Sequence, residues 1–161
     1  MGGPRVQRSA RSIVIGCGNP LRQDDAFGHL VCDRLRDELR GDVDVLAVHQ
    51  LTPELAPILA TAELAIFVDA RVGDEPGLLE CQPVRAASGA EPTFSHDLSP
   101  MALLRLGREL YGAQPQAWAV TATGAAFRYG ERASEPVEAI VADAVAQIKR
   151  LLSDRPRGPC G

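Results

Sequence analysis

The chain has 161 residues, of which 45% are hydrophobic, 24% charged and 4% aromatic, the profile of one compact globular domain. Folding at this length takes roughly 70% of the unfolded chain's surface out of water, so a core forms without disulfide or metal staples. Lys and Arg number 17 against 21 Asp and Glu, a formal charge of −4, which speaks against a general nucleic-acid binder or a polybasic membrane binder.

The segment 1–12 carries Arg5, Arg8 and Arg11 but no apolar stretch, unlike a secretory signal. Residues 12–16 (S-I-V-I-G) then form a short apolar run that stops at Gly16-Cys17-Gly18-Asn19-Pro20, as a buried strand ending in a turn does. Phe27, Val31, Leu35 and Leu39 recur every four residues among charged neighbours, which predicts an amphipathic helix ending near Gly41. Residues 43–48 read as a second strand. Thr52-Pro53-Glu54 opens a short helix, with Thr52 as N-cap and Pro53 in the first position, where no N–H is needed. Residues 63–70 (E-L-A-I-F-V-D-A) give a third strand, apolar up to Asp69, and such continuous runs suit a sheet covered on both faces.

A weaker strand is expected at 78–84 and a polar loop through Ser95. Leu103, Leu106 and Leu110 mark a helix after Ser99-Pro100, and residues 116–123 a last strand. Val137, Ile140, Val141, Ala144, Val145, Ile148, Leu151 and Leu152 form the stripe of a final helix, with Ser134 as its N-cap. Alternating strands and helices predict a three-layer α/β fold, a twisted, mostly parallel sheet with helices on both faces. One domain spans 1–161, with 1–11 and 154–161 expected as flexible tails. No apolar run reaches the ~18 residues of a membrane span, and the expected location is the cytoplasm.

In open α/β sheets the ligand crevice lies beyond the carboxyl ends of the strands. Three features converge there: the turn 16–25, Asp69, and Ser95-His96-Asp97. Gly16-Cys17-Gly18 does not complete a dinucleotide fingerprint, because Leu21 takes the third glycine's place and Asp24 and Asp25 would repel a pyrophosphate. An aspartate at a helix start caps free N–H groups, yet one cap suffices, and the second carboxylate is left beside the crevice to bind a cation. Asp69 either accepts from a nearby amide or faces the crevice; His96 is a ligand, a loop-packing residue or a cap. His49 is a further candidate, read as support at the cleft edge, and His29 as structural. Two carboxylates and an imidazole suit a borderline divalent ion with positions open to substrate. Cys17, Cys32, Cys81 and Cys160 form no C-x-x-C pair or zinc spacing, and Gly-Cys-Gly is no nucleophile elbow. They read as small core residues, or a tail thiol, in a reducing compartment.

The segment 13–28, I-V-I-G-C-G-N-P-L-R-Q-D-D-A-F-G, resembles the N-terminal signature of the hydrogenase maturation endopeptidases, G-x-G-N-x-L-x-x-D-[DE]-G-x-G. The resemblance continues through F-V-D-A ending at Ala70, S-H-D-L-S-P at 95–100 and Y-G-E-R-A-S-E-P-V at 129–137. It implies a five-stranded sheet and an endopeptidase that removes a C-terminal extension from the large-subunit precursor of a nickel-containing hydrogenase after nickel insertion. Matched by motif, it implies that Asp25, Asp69 and His96 are the metal-binding and catalytic set. The nickel would be supplied by or shared with the client, other divalent ions could substitute, and the protein would be a monomer. Ala26 departs from the family's glycine, which is tolerated only at negative φ. Two rivals share the cleft: a non-catalytic chaperone that checks the client's metal, and a small-molecule hydrolase.

Overall fold

Six buried residues in a row make β1 (Ser12–Cys17), and their alternation explains why all six are apolar or small. Val14 points into one core with Phe27, Val31 and Leu35, while Ile13 and Ile15 point into another with Leu55, Leu59 and Leu103. The computed structural model describes residues 11–41, 43–88, 98–130 and 132–154. After β1 come a 3-10 turn (Gln23–Ala26) and α1 (Phe27–Glu38). Then follow β2 (Val43–Val48), a 3-10 turn (Pro53–Leu55) running into the one-turn α2 (Ala56–Leu59), β3 (Leu64–Val72) and β4 (Leu79–Val84). α3 (Pro100–Tyr111), β5 (Gln116–Gly124) and α4 (Glu135–Ser153) complete the chain.

The sheet order is β2-β1-β3-β5-β4, parallel except for β4, which runs antiparallel to β5. α1 and α4 cover one face and α2 and α3 the other, so the three-layer expectation holds. β3 outruns the expected 63–70: β1 pairs with it only to Gly16↔Val68, but β5 accompanies it to Val72↔Gly124. Asp69 is therefore an interior residue of β3, the first beyond the reach of β1. Among the described residues, no helix is long and apolar enough to cross a membrane.

α1 lies hard against the end of β1. A Cβ at Gly16 would stand 2.4 Å from the Gly28 carbonyl oxygen and 2.6 Å from Cys32 Sγ, and one at Gly28 would stand 2.6 Å from the Cys17 carbonyl. Ser99 caps α3 as a helix-opening serine should, accepting from the Ala102 amide at 3.2 Å. Thr52 and Ser134 occupy N-cap places without making a side-chain cap bond. At the inner edges of the expected tails, Arg11 pairs with Asp44 and accepts from the Glu63 amide, and the Asp154 amide donates to Arg150. Both residues are held, unlike free tails; residues 1–10 and 155–161 lie outside the described residues.

Candidate functional site

The chain leaves β1 for β2 on one side, while β3 lies on the other. This is the switch point at which a doubly wound sheet opens a crevice at its carboxyl edge. Asp25 enters it from the β1–α1 connection and Asp69 from β3. Asp69 is half-buried, and its Oδ1 accepts from its neighbour's amide, Ala70 N, at 2.8 Å. Burial lifts its carboxyl, the Ala70 amide pulls it back, and the negative charge of Asp25 adds to the lift, leaving it pushed up to about 6. The two carboxylates thus feel each other across the crevice.

Asp25 is held by its own loop. Its Oδ2 accepts from Asn19 N at 2.8 Å, and its backbone passes so close to Gly18, at φ +134°, that a Cβ there would stand 1.9 Å from the Asp25 carbonyl oxygen. Only glycine fits that approach. Ala26 has φ −75°, so the methyl group is accommodated without strain. The positive φ falls instead on Gln23, at +46°.

Neither aspartate caps α1, contrary to the capping expectation, because the 3-10 turn intervenes and Ala26 takes the N-cap place. Asp24 is fully buried and faces the β5–α4 connection. Its Oδ2 accepts from Ala125 N at 2.7 Å, Ala126 N at 2.9 Å and the Ser134 hydroxyl at 2.9 Å, and its Oδ1 from Ser134 N at 2.6 Å. Burial alone would raise this carboxyl, but the amides of Ser134, Ala126 and Ala125 and the Ser134 hydroxyl outweigh it, holding it below the ordinary carboxylate range. All four bonds are used up inside the fold. Asp24 is a structural anion, and Asp25 is the member of the pair turned to the crevice side. The sequence held no sign of this latch, since its partners lie more than 100 positions away.

The remaining candidates divide similarly. His29, whose partners the sequence did not reveal, places Nε2 2.8 Å from the Gly18 carbonyl and 3.1 Å from that of Val48. Two acceptors facing one nitrogen require that Nε2 carry the hydrogen. His49 is exposed, its ring edge-on to His29 at 6.3 Å, at the end of β2. Cys17 is buried at the mouth of the crevice: burial, then Asp69, Cys32 and Asp25, push its thiol up to about 12. It is no thiolate nucleophile. Cys32 is also buried, with its thiol near the Leu46 carbonyl.

His96 lies outside the described residues, together with Ser95 and Asp97. Among the described residues, no three His, Cys, Asp or Glu are grouped to hold a metal; the crevice holds the carboxylate pair. A cavity of about 530 Å³ lies away from it, between the end of β4, the last turns of α3 and the start of β5, and contains none of the candidate residues.

No family model and no curated protein sequence matches the chain. Solved structures do. The hydrogenase maturating endopeptidase HybD from Escherichia coli superposes with a TM-score of 0.74 at 24% identity, over 89% of this chain and 93% of that one. The [NiFe] hydrogenase maturation protease HycI from Thermococcus kodakarensis gives 0.73 at 24% identity, over 92% and 96%. A hydrogenase 2 maturation peptidase from a Thaumarchaeota archaeon gives 0.66 at 25% identity, over 88% and 97%. Over nearly its whole length, the chain has the fold of the hydrogenase maturation proteases.

Proposed function

We propose that this chain is a hydrogenase maturation endopeptidase, removing the C-terminal extension of a nickel-containing hydrogenase large-subunit precursor once nickel is in place. The observation that carries the reading is the carboxylate pair Asp25 and Asp69 at the switch-point crevice, on the fold of proteins named for this activity. Two carboxylates that repel each other across a crevice, each with one oxygen tied to a single backbone amide, fit a divalent cation as shared partner. The cation is the client's nickel, part of the substrate, with other divalent ions able to substitute. The motif resemblance makes His96 the third member of this set in the reading proposed.

A metal so placed supplies a Lewis acid to the scissile carbonyl or to water. The chain's own residues bind and orient. The Asn19 amide fixes Asp25, the Ala70 amide fixes Asp69, and the buried Asp24 latch sets the turn that presents Asp25. Burial, with the charges of Asp69 and Asp25, pushes the Cys17 thiol up to about 12, which works against a thiolate nucleophile and a covalent thioester route. The protein acts as a cytoplasmic monomer in this reading.

The test is incubation of nickel-loaded precursor with the wild type, Asp69→Ala and His96→Ala, reading the client's C-terminal mass. Shortening by the wild type alone is expected. Equal shortening by all three would remove the site assignment, and binding without any shortening would leave a metal-checking chaperone.

A further inference from the structure

We infer that Leu21 and Tyr129 form an apolar docking rim beside Asp25 that grips the client protein next to its scissile segment; this rests on the endopeptidase reading. The two residues come from different connections, 18–22 after β1 and 125–130 after β5, which are zipped together. Gly130 N donates to the Leu21 carbonyl at 2.8 Å, Gln23 N to Gly130 at 3.1 Å, and Asp24 N to Ala126 at 2.9 Å, with Arg22 and Gly130 in a parallel bridge. Side chains add to the zipper: Arg22 Nε donates to the Phe127 carbonyl at 3.1 Å, and Gln23 Oε1 accepts from Arg128 N at 3.2 Å.

Segments so thoroughly bonded still leave Tyr129 85% and Leu21 57% exposed. Gln23 is moreover held at φ +46°, the one positive φ outside glycine among the described residues, a strain that persists only where the surroundings fix it. A fixed backbone that displays a large aromatic and a leucine to solvent has already met the ordering cost of binding, and tyrosine is among the residues that dominate interfaces.

The rim's charge selects the occupant. Arg22 follows Leu21 and Arg128 precedes Tyr129 in the chain, and neither arginine has an ion-pair partner among the described residues. The complement is a protein segment with an apolar residue between acidic ones, carried by the large-subunit precursor, whose bound cation then meets Asp25 four residues from Leu21.

The experiment measures binding of nickel-loaded precursor to the wild type, the double variant Leu21→Ser/Tyr129→Ser, and Leu110→Ser, an equally exposed leucine at the far end of α3. Each protein's melting temperature and sedimentation are recorded alongside. The rim variant should bind about tenfold or more weakly at an unchanged melting temperature, with Leu110→Ser like the wild type. Equal binding by all three would overturn the rim alone, whereas a wild type that ignores the precursor would overturn the endopeptidase reading and its partner with it. A wild-type dimer that the double variant converts to monomer would make the rim a self-association surface and overturn the client assignment.

Discussion

The carboxylate of Asp24 receives both the amide of Ser134, at 2.6 Å, and its hydroxyl, at 2.9 Å, across 110 positions of sequence. One buried anion thereby ties the turn that carries Asp25 to the residue that starts α4.

Removing that anion strands three backbone donors with little water to replace it. Asp24→Ala is expected to cost about 3–5 kcal/mol of stability, read as the shift in a urea unfolding curve. The acid limb carries a second signature. A carboxyl whose folded value is depressed contributes stability above its unfolded value and loses it as pH falls through the folded one. Acid destabilisation should therefore be shallower in Asp24→Asn than in the wild type; identical acid limbs would remove the latch from the account.

Asp69 has the opposite sign. Its folded carboxyl stands at about 6 against an ordinary 3.8, so between those values the native state binds more protons than the unfolded one. Stability then falls as pH rises through that window. Asp69→Asn, free of the penalty, should be more stable than the wild type near pH 7–8, by up to about 3 kcal/mol. The gain should vanish as pH falls toward 4. A constant difference across the range would mean that burial and the Asp25 charge do not act on Asp69 as described.

The strands were legible because burial on both faces writes an unbroken apolar run, as in 64–68, and parallel pairing keeps it short. The ends were less so. β3 gains Arg71 and Val72 from its pairing with β5, a distant strand that local pattern does not reveal. Asp69 stands out as an acid closing an apolar run and lies in the carboxyl half of β3, but the strand continues three residues past it instead of ending there. The division of labour between Asp24 and Asp25 was not legible: both suit a helix start, and only the fold shows that one is spent on Ala125, Ala126 and Ser134. Ser134 looked like a cap for the same reason. Its hydroxyl instead donates to the buried carboxylate of Asp24, a charge-assisted bond, and accepts from no amide of the first turn of α4. Gly16 and Gly28 read as turn and helix residues, while their shared task, letting α1 touch β1, belongs to packing alone.

Cys17 stands closest by sequence to the role of nucleophile, at the end of β1 between two glycines. Its chemistry argues otherwise. Nucleophilic cysteines gain thiolate from nearby cations or helix N-termini, whereas this thiol is buried and faces the charges of Asp69 and Asp25, which push it up to about 12. At pH 7–8 it carries almost no thiolate. Cys17→Ala should therefore process the precursor within a fewfold of the wild-type rate, at a stability cost of about 1 kcal/mol for the lost sulfur contacts. In the native protein, iodoacetamide should label Cys17 only after unfolding. A variant that folds normally yet loses cleavage by a hundredfold or more would move the chemistry from the carboxylate pair to sulfur.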